Sequence, residues 1–291
     1  MTDALIAVTG ATGGVGGRVA RRLADAGVGQ RLLVRDPDRA PHLPGTEIAR
    51  ASYDEPATVR EAVRGAETLL LVSAHEHQDR VGLHVGAIDA ALAGGVKRVV
   101  YLSFVGATPD ATFTFARDHY HTEQHIRATG VPFTFLRNNL YQDVLPYFAG
   151  RDGVIRGPAG DGRFAPVARD DIAGVAVAVL TGAGHDGATY DLTGPEAVTM
   201  AGVAEQLTRA TGRPVRYHAE TLAEAYESRS HHGAPQWAVA GWVTSYAAVA
   251  AGDLEEVRDD VAAVTGHPAM SLSTFLAANP AALSHLRPDD G

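Results

Sequence analysis

The sequence predicts an α/β fold: a doubly wound parallel sheet with helices on both faces, followed by a smaller, mainly helical C-terminal lobe. Three observations carry this. Short apolar runs alternate with helix-period segments as far as Arg137, which is what successive strand–helix–strand units produce. The runs are continuously apolar rather than alternating, as strands covered on both faces require. After Gly150 the texture becomes glycine-rich and then helical.

Leu5-Ile6-Ala7-Val8 reads as the first strand, ending at Thr9-Gly10. Val15, Val19 and Leu23 then recur at helical spacing, and Gly27 stands where a helix cap belongs. A second strand at 31–35 stops at Asp36-Pro37, and a third at 47–50 precedes a helix over 55–63. The fourth strand is Leu69-Leu70-Leu71-Val72. The next helix puts Val81, Val85, Ile88 and Leu92 on one stripe and closes at Gly94-Gly95. Residues 99–102 form the fifth strand, 117–129 a helix, and 133–136 the sixth strand. Gly153, Gly157, Pro158, Gly160 and Gly162 mark an irregular or hairpin segment. Asp170 and Asp171 read as caps of an apolar helix running through Leu180. One more strand follows at 189–192, then short helices with a small strand at 215–218. The last residues, 287–291, read as frayed.

Composition narrows the function classes. A chain of 291 residues supports one large or two modest domains with a sizeable core. A net charge of -9 with no basic run argues against nucleic acid as a partner. The absence of cysteine excludes disulfides, thiolate nucleophiles and thiolate metal sites, and fits the cytoplasm as the expected compartment. Met1-Thr2-Asp3-Ala4 carries no basic region, so no signal peptide is read. The longest apolar runs, around 68–74 and 174–180, are far short of a membrane span, so no membrane partner is expected.

The loop Thr9-Gly10-Ala11-Thr12-Gly13-Gly14-Val15-Gly16 lies between the first strand and the first helix. Glycines there permit a tight turn, close approach to a pyrophosphate and close helix–strand packing. The helix N-terminus then offers free N–H groups and a favourable dipole to the phosphates. The position of the triplet inside a strand–helix–strand unit makes this a Rossmann-type dinucleotide site, with Gly10, Thr12, Gly13, Gly14, Val15 and Gly16 as its residues. The end of the second strand should meet the adenosine ribose, where an acid favours NAD and an arginine favours NADP. Arg35 ends that strand, while Asp36-Pro37 reads as a turn start, and Arg39 adds a second positive charge. The expected cofactor is therefore NADP(H) in preference to NAD(H).

The loop fits the short-chain dehydrogenase/reductase superfamily, whose usual catalytic pair is Tyr-x-x-x-Lys. That pair cannot exist here: Lys97 is the only lysine, and Ala93 stands four residues before it. The distributed features are Thr9–Gly16, Val34-Arg35-Asp36-Pro37, residues 69–73, Tyr101-Leu102-Ser103, His119 with Thr122-Glu123, Leu136-Arg137-Asn138 with Tyr141, Ala159-Gly160-Asp161-Gly162, and Arg169-Asp170-Asp171-Ile172-Ala173. Together, over about the first 195 residues, the chain resembles the atypical, NmrA-like branch, most of all its quinone oxidoreductase and triphenylmethane reductase members.

The resemblance implies two lobes with substrate between them. The change of texture after Gly150 divides the chain into an NAD(P)-binding domain at 1–152, with a return at about 166–193, and a substrate lobe over most of 153–291. The resemblance places His119 and Glu123 where tyrosine and lysine would stand, and Ser103 at the usual serine position. Ser73-Ala74 would lie beside the cofactor, Asn138 near the nicotinamide, and Tyr141 against the substrate. Asn139-Leu140 departs from the family pattern, and Tyr120 four residues before Gln124 is a lysine-free echo of the usual pair.

Ser103, His119 and Tyr141 are the candidate catalytic residues; Phe104, His119, Tyr141, Phe148 and Trp237 are candidates for the substrate. Each has a plain alternative. Ser103 orients a carbonyl or satisfies backbone; the aromatics stack on substrate or pack the core. Glu123 would act as an acid or base if buried, but reads first as a solvated helix residue. His121 and His125 share a helix face but lack a third ligand, so no metal is expected. The expected function is reduction of a quinone, polycyclic aromatic or similar conjugated acceptor by NADPH, which needs little acid help. The alternatives are a non-catalytic dinucleotide sensor, or a tailoring enzyme performing oxygenation, hydration or isomerisation of an aromatic metabolite. The expected partner is a small aromatic or quinone-like substrate, with the protein a monomer or homodimer.

Overall fold

The computed structural model describes residues 5–286. The expected N-terminal reading at 1–4 and the expected fraying at 287–291 lie outside the described residues. The first half runs β1 (Leu5–Thr9), α1 (Gly16–Asp25), β2 (Gln30–Val34), β3 (Thr46–Arg50), α2 (Pro56–Ala62), β4 (Ala66–Val72), α3 (Arg80–Ala93), β5 (Arg98–Phe104), α4 (Thr114–Thr129) and β6 (Phe133–Asn138). Then come α5 (Leu145–Phe148), β7 (Val154–Gly157), β8 (Arg163–Phe164), α6 (Arg169–Thr181), β9 (Thr189–Leu192) and β10 (Val198–Thr199). The chain finishes with α7 (Met200–Thr211), β11 (Arg216–Ala219), α8 (Leu222–Ser230), α9 (Gln236–Ala250), α10 (Asp260–Thr265) and α11 (Leu272–Ala278).

Seven strands form one sheet in the order β3-β2-β1-β4-β5-β6-β9. The pairs β2–β3, β1–β2, β1–β4 and β4–β5 are parallel, with Val8 opposite both Leu32 and Leu70. The strand order reverses between β1 and β4, which is the switch point where such sheets bind ligands beyond their carboxyl ends. Burial explains the apolar runs: Ala7, Val8, Leu32, Leu69, Leu70, Leu71, Val99 and Val100 have no exposed surface. Helix α1 buries Val19 and Leu23 completely and ends as expected. Gly27 takes φ +69° while the Val28 N–H donates to the Leu23 carbonyl at 2.9 Å.

The chain divides into two compact units. One comprises residues 1–104, 118–137 and 170–191; the other comprises 105–117, 138–169 and 192–291. The sheet domain thus ends its main run earlier than the expected 152, because β5 and β6 deliver the chain into other contacts at Phe104 and Asn138. The Val105 N–H donates to the Asn138 carbonyl at 3.0 Å, and the Asn139 amide donates to the Leu254 carbonyl at 3.0 Å.

Three further expectations are corrected. Of the irregular or hairpin segment expected at 153–162, the hairpin alternative falls: β7 pairs in parallel with β11, and β8 pairs antiparallel with β10. Gly157 instead lies against the Tyr246 ring and Gly162 against the Val249 backbone, so close where a Cβ would stand that neither position admits one. Asp170 and Asp171 sit inside the first turn of α6 rather than capping it. Asp170 faces Arg22 at 2.7 Å, and the Arg169 N–H is taken by Asp143 at 3.0 Å. The buried stripe of α3 is Arg80, His84, Ala87, Ile88 and Ala91; Val81, Val85 and Leu92 are only partly covered. Two polar residues on that stripe rotated it away from the apolar pattern.

Candidate functional site

The loop after β1 is braced from below. Thr9 Oγ1 donates to the Leu70 carbonyl at 3.0 Å and accepts from the Val72 N–H at 2.8 Å. The Tyr53 hydroxyl lies 2.7 Å from the Val72 carbonyl and 2.8 Å from Thr9 Oγ1. Gly10 turns the chain at φ +63°, where an added Cβ would come within 2.9 Å of Val72 Cβ. The Gly13 N–H closes the turn on the Gly10 carbonyl at 2.8 Å. Gly16, the first residue of α1, packs so tightly on the Gly10 carbonyl that a side chain has no room. For the N–H groups of Thr12, Gly14 and Val15, no backbone acceptor is found among the described residues. Glycine cradle, unclaimed donors and helix N-terminus together fit a dinucleotide pyrophosphate.

At the end of β2, Arg35 and Arg39 are exposed. Asp36 Oδ1 accepts from the Asp38 N–H at 3.1 Å and so caps the short turn 37–39. One of its two oxygens is engaged in this way, and the exposed Arg35 beside it carries a charge suited to a 2′-phosphate.

Beyond β4, Ser73 and Ala74 are half-buried, and the Ala74 peptide is held on both sides. Its N–H donates to His84 Nε2 at 2.8 Å, and its carbonyl accepts from Arg80 Nε at 3.0 Å. The backbone donor fixes the tautomer of His84, whose proton is on Nδ1, 2.9 Å from Thr122 Oγ1. The Thr122 hydroxyl donates in turn to the Asp118 carbonyl at 2.8 Å. Burial, then the Arg80 charge, pushes the His84 pKa down to about 3, so the ring stays neutral.

His119 is buried beside this group. Its Nε2 accepts from Arg80 Nη2 at 3.2 Å, so its proton is on Nδ1, 2.8 Å from the Tyr101 hydroxyl. Phe104 stacks on the ring at 6.2 Å between centroids. Burial, then the Arg80 charge, holds the His119 pKa well below the histidine range. Both nitrogens are engaged within the chain.

Glu123 is fully buried, which overturns the reading of a solvated helix glutamate. The Ser103 hydroxyl donates to its Oε1 at 2.6 Å. Arg137 donates through Nε to Oε1 at 2.8 Å and through Nη2 to Oε2 at 2.7 Å, and Arg127 adds a contact at 3.2 Å. The bidentate arginine compensates the buried carboxylate. Lys97 is elsewhere: it precedes β5, is paired with Glu67 at 2.7 Å, and its side chain is 72% exposed.

Within the second unit, Asn138 is buried at the end of β6, with Nδ2 3.4 Å from the Tyr141 hydroxyl. Its Oδ1 has no hydrogen-bond partner among the described residues. The Arg169 guanidinium lies 4.8 Å over the Tyr141 ring. Phe148 packs on Tyr246 at 5.5 Å, and Trp237 on Phe115 at 6.4 Å. Asn139 is a structural tie, its Oδ1 taking the Leu140 N–H at 2.7 Å. His121 is exposed, and His125 pairs with Asp89 at 2.7 Å.

Sequence reasoning overlooked Arg80, His84, Tyr101 as a hydrogen-bonding group, and the Arg137–Glu123 pair. The signal existed: Arg80 and His84 stand four apart, on the face that Ala87, Ile88 and Ala91 extend.

A family described as NAD(P)H-binding matches residues 10–183. An NAD(P)H azoreductase of Xenophilus azovorans is 34% identical, covering 96% of this chain and 99% of its own length. A solved NADPH-dependent quinone oxidoreductase of Escherichia coli, complexed with NADPH, is 32% identical with a TM-score of 0.85, covering 94% of this chain and 99% of that one. The triphenylmethane reductase of Citrobacter sp. is 30% identical with a TM-score of 0.83, covering 96% and 99%. No helix among the described residues is long and apolar enough to cross a membrane.

Proposed function

From the premise that the chain belongs to the NAD(P)H-binding family and is an oxidoreductase, we propose that it uses NADPH to reduce a quinone, azo or comparable conjugated aromatic acceptor. The observation that carries this is the commitment of the polar groups where an acid pair would stand. The Ser103 hydroxyl donates to Glu123, both His119 nitrogens are engaged, and the sole lysine is paired with Glu67. With Ser103, His119 and Lys97 engaged in this way, the site suits an acceptor that delocalises incoming charge by itself.

A reduced nicotinamide, when bound, supplies the hydride. The chain's part is to hold and orient. The N–H groups of Thr12, Gly14 and Val15 would hold the phosphates, and Arg35 would take the 2′-phosphate, beside an Asp36 that caps the following turn. Ser73-Ala74 would flank the nicotinamide end; within the second unit, the buried Oδ1 of Asn138 suits an amide donor. Tyr141, Phe148 and Trp237 offer aromatic surface for the acceptor, and Phe104 keeps the His119 ring in place.

Rapid mixing of protein and NADPH with a panel of quinones, azo dyes and triphenylmethane dyes tests the reading, with an unconjugated ketone as comparison. Loss of NADPH absorbance with the conjugated acceptors and not with the ketone is expected. Ketone reduction, or no acceptor-dependent oxidation at all, overturns it.

A further inference from the structure

We propose that Arg80 and His84 are positioning residues that fix the Ala74 peptide for the cofactor before the cofactor arrives. This rests on the reading that Ser73-Ala74 flanks the nicotinamide end. Loops beyond strand ends are ordinarily mobile, because their peptide groups exchange bonds with water. Here one peptide has both polar groups claimed by side chains four residues apart on one helix. His84 Nε2 takes the N–H at 2.8 Å, and Arg80 Nε gives to the carbonyl at 3.0 Å. Residues at that spacing share a helix face, so α3 presents them as a two-point clamp.

The clamp is itself anchored. His84 Nδ1–H reaches Thr122 on α4, and Thr122 donates to the Asp118 carbonyl. Arg80 also donates to His119 and lies 3.7 Å from the Asp118 carboxylate. Arg80 and His84 are 7% and 0% exposed. Burying an arginine and a histidine in place of aliphatic residues costs desolvation that packing alone does not require. The peptide so held follows Val72, whose side chain stands against Gly10 of the glycine loop, so clamp and cradle share a support. A peptide fixed in advance spares the ordering cost of binding.

Hydrogen exchange of the wild-type protein without cofactor reads the clamp directly. The Ala74 amide should exchange at least about a hundredfold more slowly than a free loop amide, and NADPH should change it little. Exchange at the free rate before NADPH, with protection only after, overturns the proposal. His84→Phe removes both bonds in a similar shape, whereas His84→Gln keeps an acceptor for Ala74. In fluorescence titrations, His84→Phe should weaken NADPH binding about tenfold or more, equivalent to about 1.4 kcal/mol, and His84→Gln should recover most of it. Equal loss in both folded variants, or none in either, marks His84 as packing only and overturns the proposal. Failure of the wild type to bind NADPH overturns the cofactor reading and the proposal with it.

Discussion

The Ser103 hydroxyl donates to Glu123 Oε1 at 2.6 Å, and the carboxylate that receives it has no exposed surface. The serine proton is therefore directed into the protein, toward a charge already balanced by Arg137. Ser103→Ala should lower kcat/KM for a quinone by less than about tenfold, or 1.4 kcal/mol. It should cost stability instead, about 1.5–3 kcal/mol as a hydrogen bond to a charged group. Steady-state kinetics beside urea unfolding decide between the two effects, and a loss of several orders of magnitude in kcat/KM refutes the assignment.

Glu123→Leu removes the charge that answers Arg137 and Arg127. Breaking a fully buried pair from one side costs about 3–5 kcal/mol; Arg137 and Arg127 stay partly solvated at 22% and 35% exposure, so the loss should fall below that range. The double variant Glu123→Leu/Arg137→Met should recover a large part of that loss. Chemical denaturation of these two variants, of Arg137→Met alone and of the wild type closes the cycle.

Arg35→Ala should weaken NADPH binding by about 10–100-fold, the worth of a charge-assisted bond of about 1.5–3 kcal/mol, and leave NADH binding unchanged. Asp36→Ala should keep the preference for NADPH while losing its cap to the Asp38 N–H, about 0.5–2 kcal/mol of stability. Paired titrations with both dinucleotides read each outcome.

His84, pushed down to about 3, and His119, held well below the histidine range, both stay neutral in the fold. In the unfolded chain each takes a proton near pH 6.5. A lowered histidine pKa means that the unfolded state binds more protons, so these two residues cost no stability above about pH 6.5. Stability is lost as pH falls below it, approaching about 1.4 kcal/mol per unit for each ring. Unfolding free energies measured between about pH 6.5 and 4.5 should slope as uptake of about two protons; a slope under one proton contradicts the buried, neutral assignment.

Most of the sheet was legible because its central strands β1, β4 and β5 are apolar runs covered on both faces and several turns carry a glycine, as at Gly10 and Gly27; β3 and β9 lack that pattern. The glycine loop was legible for the same reason: its residues are chosen by local backbone geometry. The stripe of α3 was misread because Arg80 and His84 are buried by partners at positions 74, 118, 119 and 122, and hydrophobic periodicity carries no record of such partners. Glu123 was misread likewise, since its burial depends on Arg137 fourteen positions away. The parallel pairing of β7 with β11 joins segments separated by two helices and other strands, so no turn signal announces it.

The solitary Lys97 has a practical consequence. Its amine is exposed and lies just before β5, whereas the glycine loop follows the carboxyl end of β1 in the same parallel sheet. A strand of this length separates the two edges by about 17 Å. Apart from the amino terminus, an amine-reactive tether has one address on this molecule. A protein attached to an electrode or a bead through Lys97 would be oriented with its dinucleotide edge turned toward the solution, a geometry that lysine-rich enzymes do not offer.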